Sequence, residues 1–213
     1  MPAWLRWVLG VVVVAIIVGG PFALYRADYA HAKRLREVTP GRFYRSGQMT
    51  AAGFREAFEK YHIKSVINLQ HENPDPLVPE NWLGKPTITE SQVCKDNGVK
   101  YFLLTPDILP EPNSVDKEPP VVEAFRKILD DPSNYPVLIH CKAGLHRTGR
   151  LTAIYRMEYE DWSHAAAVRE LRANGFGYSA VHDGDPYVVQ FVQNYKPRPK
   201  PMTQAALPKE GEE

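Results

Sequence analysis

The chain has 213 residues, of which 44% are hydrophobic and 24% charged, and its formal net charge is +1. This composition is that of a globular protein with one sizeable core and excludes a chain that is disordered throughout. The near-zero net charge argues against nucleic acid as a partner, so any anion must be recognised by a local cluster of charge. The cysteines are Cys94 and Cys141, too few for a disulfide framework, and no paired metal spacing surrounds them. We expect two free thiols, no metal and no other cofactor.

An apolar segment opens the chain. Residues 7–25 (WVLGVVVVAIIVGGPFALY) carry no charge and, as a helix, would match a hydrocarbon core of about 30 Å. We expect residues 1–25 to be an uncleaved single-pass membrane anchor, because no small-residue cleavage site follows closely; a cleaved signal peptide is the alternative. Four basic residues lie between positions 26 and 36, whereas only Arg6 precedes the segment. The positive-inside rule therefore predicts that the rest of the chain is cytoplasmic.

Beyond the anchor, short apolar segments alternate with amphipathic ones. We predict a polar juxtamembrane linker at 26–40, a single domain at 41–195 and a disordered tail at 196–213 that is rich in proline and charge. Within the domain, strands are predicted at 42–45, 65–69, 100–104 and 136–140, and long loops at 72–86 and 106–120. Helices are predicted after Thr50, at 88–97 and 121–129, from 147 onward, and at 164–172 and 185–195. This alternation predicts an α/β fold, a small and mostly parallel sheet flanked by helices.

The segment 140–149 (HCKAGLHRTG) follows a predicted strand and leads into a predicted helix. Ligands of parallel sheets collect at the carboxyl ends of the strands, which is the position of Cys141. The N–H groups before the helix have no intrahelical partners and can converge on an anion, and Gly144 permits the tight turn. The helix N-terminus adds positive partial charge. The pattern predicts a phosphate cradle that also stabilises a nucleophilic thiolate at Cys141.

The neighbouring side chains suit the same chemistry. The planar guanidinium of Arg147 can hold two phosphate oxygens, which a lysine cannot do. Thr148 can donate its hydroxyl to the sulfur when the thiolate leaves in a second step. His140 is expected to orient the loop by hydrogen bonds. The remaining loop residues are expected to bind the substrate: Lys142, Ala143, Gly144, Leu145 and His146.

The string HCKAGLHRTG resembles the Cys-x5-Arg-Ser/Thr signature of the protein tyrosine and dual-specificity phosphatase superfamily. Residues 43–48 (FYRSGQ), 66–69 (VINL) and 136–140 (PVLIH) resemble its atypical dual-specificity group, and the resemblance covers about residues 41–195. It implies the cysteine phosphatase fold. It also implies a metal-independent phosphatase that cleaves phosphotyrosine, and phosphoserine or phosphothreonine, through a cysteinyl-phosphate intermediate.

Two alternative functions stay open beside this one. The first is a phosphoinositide or inositol polyphosphate phosphatase. The loop keeps one lysine, Lys142, where phosphoinositide phosphatases often carry two, but its ending His146-Arg147-Thr148 resembles a plant and fungal group that includes inositol polyphosphate phosphatases. The second is a non-catalytic pseudophosphatase that binds phosphorylated partners at a membrane.

The general acid is also taken from the resemblance, because members of the superfamily use an aspartate upstream of the cysteine. Asp107 follows the predicted strand 100–104 and precedes Cys141 by 34 positions, an interval typical of the resemblance. Thr105 stands where the aromatic residue of the usual aromatic-proline-aspartate pattern would be. Asp116 is the alternative acid, and a solvated turn is the alternative role for Asp107. Arg45 and Asn68 are expected to brace the sheet edge and the loop.

Overall fold

The computed structural model describes residues 2–104, 118–175 and 186–199. The N-terminal helical elements are α1 (Ala3–Val14), a π-helical turn (Ala15–Gly19) and α2 (Gly20–His31). They are followed by β1 (Arg36–Thr39), β2 (Phe43–Gly47), α3 (Ala51–Tyr61), β3 (Ser65–Asn68), β4 (Leu77–Pro79), β5 (Pro86–Thr89), α4 (Glu90–Asp96) and β6 (Lys100–Leu103). The remaining elements are α5 (Pro120–Asp130), a 3₁₀ turn (Pro132–Asn134), β7 (Val137–Cys141), α6 (His146–Tyr159), α7 (His164–Ala173) and α8 (Pro186–Asn194).

A five-stranded sheet carries the fold, in the order β1-β2-β7-β3-β6. Strand β7 is central and runs parallel to both β2 and β3, β6 is parallel to β3, and only the edge strand β1 is antiparallel. The predicted α/β fold with a mostly parallel sheet is therefore confirmed. Because β7 lies between two strands, the residues that follow it emerge in the middle of the carboxyl edge of the sheet.

Helices cover both faces of the sheet, and successive residues of β7 point to opposite layers. Val137, Ile139 and Cys141 belong to the core cluster that includes residues of α5, α6, α7 and α8. Leu138 belongs to the second cluster, which includes residues of α3 and α4. The side chain of Cys141 thus lies on the α6 side of the sheet, and that of His140 lies on the α3–α4 side.

The N-terminal helix is longer than the predicted anchor. It runs from Ala3 to His31, is long and apolar enough to cross a membrane, and its most apolar window is not buried against the rest of the protein. The expected linker at 26–40 is accordingly not a linker: it holds the end of α2 and the whole of β1. Strand β1 escapes a pattern search because only Val38 of its four residues is buried, as an edge strand allows.

Other differences are local. The loop predicted at 72–86 contains β4, which pairs antiparallel with β5. Two of its four prolines, Pro79 and Pro86, lie opposite each other at one end of this short ribbon, where a missing N–H is tolerated. The helix predicted at 88–97 begins at Glu90, since the Thr89 side chain caps it by accepting the Gln92 N–H. Of the loop predicted at 106–120, residues 106–117 lie outside the described residues.

Candidate active site

The candidate nucleophile lies in the tight connection between β7 and α6. Cys141 is the last residue of β7, and α6 begins at His146. The thiol is 4% exposed, and its Sγ accepts the backbone N–H of Gly144 at 3.2 Å. The helix N-terminus therefore follows directly on a buried sulfur that already receives one amide hydrogen bond, an arrangement that favours negative charge on the sulfur.

The carbonyl groups of this loop are held by residues outside it. The guanidinium of Arg45 donates to Gly144 O at 2.9 Å, that of Arg34 donates to Ala143 O at 2.9 Å, and the Gln48 N–H donates to Lys142 O at 3.3 Å. In a planar trans peptide the N–H points away from its carbonyl. Fixing three successive carbonyls on the outside therefore turns the following N–H groups towards the space beside the sulfur, as an anion cradle requires.

Arg45 acts from within the core. It is 4% exposed, and burial lowers its pKa to about 10, so the guanidinium remains charged at neutral pH. Its contact with Gly144 is the bracing role that the sequence predicted. Asn68 instead braces another segment: its side-chain N–H groups donate to Tyr101 Oη at 2.8 Å and Pro74 O at 3.3 Å.

Gly144 meets two steric requirements at once. Its φ is +72°, a conformation that residues with a Cβ rarely adopt. A Cβ at this position would lie 2.6 Å from both Gly47 N and Ser46 O. The loop consequently packs directly onto the end of β2, which is what brings the sulfur and the amides together.

Arg147 lies in the first turn of α6, and its guanidinium spans the carboxyl end of the sheet. It donates to Leu69 O at 3.2 Å and to Glu72 Oε2 at 2.9 Å, and a second bond joins Nη2 to Glu72 Oε1. Arg147 holds the pKa of Glu72 at about 2, so the carboxylate is ionised throughout the neutral range. The carboxylate uses the same bidentate geometry by which a guanidinium binds phosphate.

Thr148 is fully buried in α6, and its hydroxyl has no hydrogen-bond partner among the described residues. A buried donor without a partner is costly unless it serves another group, which suits the predicted role towards the sulfur. Of the predicted substrate-binding residues, Lys142 is exposed, Gly144 is buried, and Ala143, Leu145 and His146 are half-buried. All lie between Cys141 and the first turn of α6.

His140 points away from Cys141, into the opposite layer. Its Nε2 lies 2.6 Å from Oε1 of Glu90, both side chains are completely buried, and the ring packs edge-on at 5.5 Å from Phe54. Glu90 is the first residue of α4. The pair therefore ties the residue before the nucleophile to a neighbouring helix, in keeping with an orienting role.

Sequence reasoning missed Glu72, Glu90 and Arg34. Each contacts the loop from 50 or more positions away, so no local spacing could reveal it. The sequence does place Glu90 directly after the N-capping Thr89, and this position predicts the start of a helix but does not predict contact with His140.

Both Asp107 and Asp116, the candidate acids, lie outside the described residues. Cys94 and Cys141 are both free thiols, as expected, and burial raises the pKa of Cys94 well above its usual range.

Comparison with known proteins agrees with this geometry. The sequence profile of the tyrosine phosphatase family matches residues 32–207. The dual specificity protein phosphatase TpbA of Pseudomonas aeruginosa is 26% identical over 201 residues, which cover 87% of this chain and 80% of TpbA. The inositol diphosphatase SIW14 of Saccharomyces cerevisiae is 28% identical over 155 residues, or 73% of this chain and 48% of that protein.

Two solved structures share the fold. The catalytic core of Siw14 has a TM-score of 0.54 at 22% identity, covering 76% of this chain and 84% of that one. The crystal structure of P. aeruginosa TpbA has a TM-score of 0.51 at 23% identity, covering 75% and 88%.

Proposed function

Because the chain belongs to the tyrosine phosphatase family, we propose that it is a metal-independent phosphatase that hydrolyses phosphomonoesters through a cysteinyl-phosphate intermediate on Cys141. One observation carries the proposal. The buried sulfur at the end of β7 accepts an amide of a loop whose carbonyls at 142, 143 and 144 are all held on the outside. Such a loop stabilises a thiolate and an adjacent phosphate dianion with the same N–H groups.

The first step transfers the phosphoryl group to sulfur. The Cys141 thiolate attacks phosphorus, the bond to the ester oxygen breaks, and that oxygen leaves with a proton from the general acid, for which we propose Asp107. The loop amides and the guanidinium of Arg147 stabilise the charge on the equatorial oxygens. The substrate enters past a rim formed by the loop residues Lys142, Ala143, Gly144, Leu145 and His146.

The second step releases phosphate. Water attacks phosphorus and loses its proton to the carboxylate produced in the first step, and the phosphorus–sulfur bond breaks. The sulfur departs as a thiolate, which the Thr148 hydroxyl stabilises by donating a hydrogen bond. The products are the dephosphorylated alcohol or phenol, inorganic phosphate and the original enzyme.

For the substrate we propose phosphotyrosine in proteins, with phosphoserine and phosphothreonine as further targets. The name of TpbA, a dual specificity protein phosphatase, supports this choice, and its alignment spans most of both chains. An inositol phosphate is the second candidate, because the similar SIW14 and DSP3 are named inositol diphosphatases. Exposed Lys142 on the rim would suit either anion.

We further propose that residues 1–25 anchor the protein in a membrane as a single span. Residues 41–195, together with the edge strand β1, would form a cytoplasmic phosphatase domain, and residues 196–213 a tail. The unburied apolar helix Ala3–His31 and the basic residues that follow it support the anchor and its orientation. A cleaved signal peptide would also satisfy the length and composition. Mass measurement of the mature chain separates the two.

The test offers the purified full chain an aryl phosphate, a phosphotyrosine peptide, a phosphoserine peptide and inositol phosphates, all in the presence of a metal chelator. We expect turnover of the aryl phosphate, total loss of turnover in Cys141→Ser, and little change in Cys94→Ser, which removes the other thiol. For a poor leaving group, Asp107→Asn should lower kcat by roughly 100-fold, because general acid catalysis contributes about that much.

Each outcome discriminates. Turnover that survives Cys141→Ser would exclude the proposed nucleophile. Tight binding of the peptides without hydrolysis would indicate a pseudophosphatase instead. If Asp107→Asn leaves turnover of the poor leaving group unchanged and Asp116→Asn lowers it, the acid is Asp116.

A further inference from the structure

A cleft of about 340 Å³ lies near the loop between Cys141 and His146, called the nucleophile loop below, and its lining residues take no part in the catalytic steps proposed above. One wall is the end of α2 and the turn after it, with Arg26, Tyr29 and Lys33; the other includes Gln48 and, from the β4–β5 ribbon, Trp82. The cleft is therefore bounded by the helix that continues the apolar segment and by the domain itself. Its lining combines two cations with aromatic rings.

The positive charge of this cleft is not neutralised within the part of the chain that the structure describes. There, neither Arg26 nor Lys33 forms an ion pair with a carboxylate. Burial lowers the pKa of Lys33, and the neighbouring cations Arg34, Lys142 and Arg26 lower it further against an opposing effect of Cys141. A half-buried ammonium surrounded by other cations is stabilised by an anion, so the cleft favours an anionic ligand.

The position of the cleft along the helix indicates where that anion comes from. Arg26 directly follows the uncharged residues 7–25, and Arg26 to Lys33 spans roughly 10 Å at the rise of a helix. That is close to the depth of a headgroup layer, about 5–8 Å on each side of the hydrocarbon core. On the facing ribbon, Leu77, Trp82 and Leu83 are 53%, 41% and 76% exposed. Exposed aromatic and aliphatic side chains beside the span are typical of a membrane interface.

We propose that this cleft binds the phosphate group of an anionic membrane lipid, with Arg26 and Lys33 as its cationic contacts and Trp82 beside the lipid glycerol. The proposal rests on the membrane anchor proposed above and is independent of the catalytic steps. Lipid phosphates supply the negative charge, which attracts juxtamembrane basic residues that lie near such a surface.

The same segment reaches the nucleophile loop. Lys33 O accepts the N–H of Gly47 at 2.7 Å, and Gly47 is paired in register with Cys141. The next residue, Arg34, donates to Ala143 O. A lipid bound by Lys33 would thus restrict the motion of Lys33 and Arg34, whose hydrogen bonds hold the end of β2 and the nucleophile loop. The candidate active site would then lie at the membrane surface.

The test measures how strongly an amine-reactive reagent labels Lys33 in the full chain in nanodiscs, quantified by mass spectrometry. Discs of phosphatidylcholine alone are compared with discs that also contain phosphatidylglycerol. We expect the anionic lipid to lower labelling of Lys33 at least threefold. Lys85 is the internal control, because it lies on the same ribbon but does not line the cleft. An equal change at Lys33 and Lys85 would overturn the proposal, since it would reflect surface potential alone.

Variants and a soluble ligand complete the test. Arg26→Gln should abolish the protection of Lys33, whereas Arg36→Gln removes a nearby exposed charge and should preserve it. Persistence of protection in Arg26→Gln would overturn the assignment. Soluble glycerophosphoglycerol in neutral discs should not protect Lys33, and equal protection by it would exclude a membrane lipid as the source of the phosphate. The labelling experiment does not depend on turnover. A negative labelling result would therefore overturn the lipid site without bearing on the proposed function, which the Cys141→Ser assay tests separately.

Discussion

Gly144 combines a positive φ with a close approach to β2, so the account of the loop can be tested at this residue. In Gly144→Ala the new methyl would meet Gly47 N and Ser46 O at 2.6 Å, both of them backbone atoms. We expect the loop to shift and kcat/KM to fall by more than 100-fold, because small misplacements of a catalytic group have effects of that size. Steady-state kinetics with an aryl phosphate measure the change.

The matched control is Gly98→Ala. Gly98 has a φ of +67°, but a Cβ there would meet nothing within 4 Å. The same strained conformation then costs about 1 kcal/mol of stability and should leave activity unchanged. Equal losses of activity in both variants would mean that the close packing of the loop on β2 does not matter.

Glu72 places a negative charge on the guanidinium that we propose binds phosphate. Glu72→Gln keeps an acceptor for Arg147 but removes the charge, so we expect KM for an anionic substrate to fall roughly three- to fivefold at low salt. Glu80→Gln, which breaks the Arg55–Glu80 pair, is the control and should leave KM unchanged. A higher KM in Glu72→Gln would show that the carboxylate positions Arg147 and does not compete with substrate.

The pH dependence of this effect follows from the lowered pKa of Glu72. The value of about 2 lies below the ordinary 4.5, so the charge and its contribution to stability are fully present above about pH 4.5 and are lost as the pH falls towards 2. The ratio of KM values between the native protein and Glu72→Gln should therefore be constant from about pH 5 to 8. A ratio that changes within that window would contradict the assignment.

At the scale of elements, the His140–Glu90 pair joins β7 to α4 across the sheet. Glu90→Ala leaves a buried histidine without its partner, and we expect the free energy of unfolding to fall by about 3 kcal/mol. The chain holds its own control: His31 and Glu56 are also 2.6 Å apart but exposed, so Glu56→Ala should cost less than about 1 kcal/mol. Urea unfolding measures both, and similar costs would contradict a structural role for the buried pair.

The elements that sequence predicts well are those whose pattern is local. Strand β7, the loop and the start of α6 form one continuous segment, and Thr50 caps α3 through the Gly53 N–H as expected. The contacts that hold the loop could not be predicted from the sequence, because Arg45 and Gly144 are 99 positions apart and Arg34 and Ala143 are 109 apart. Such pairings depend on the strand order, which no short window of sequence encodes.

At the scale of the whole molecule, the boundary between anchor and domain is the main correction. The polar segment 26–40 is expected from the sequence to be a linker, yet residues 33–39 supply loop contacts and the edge strand. Two truncated chains test this. A chain that begins at residue 32 should be soluble and active. One that begins at residue 36 lacks the two hydrogen bonds made by Lys33 and Arg34, and its kcat/KM should fall by roughly tenfold or more, since each bond contributes about 1 kcal/mol. Equal activities would show that the juxtamembrane contacts do not support the loop.

The anchor makes its own prediction for the intact chain. We expect the full-length protein to sediment with membranes and to resist alkaline extraction, because its apolar helix can cross a bilayer. The chain that begins at residue 32 should remain in the supernatant. A full-length chain released by alkali, or a mature protein that lacks residues 1–25, would contradict a spanning anchor.

The most direct test of the central claim is to trap the covalent intermediate. The full chain is mixed with an aryl phosphate for milliseconds, quenched in acid and digested, and the phosphorylated residue is located by mass spectrometry. The account predicts phosphate on the sulfur of Cys141, formed in one burst with the released phenol and absent from Cys141→Ser. A burst of phenol with phosphate on another residue, or turnover with no phosphoenzyme at all, would contradict it.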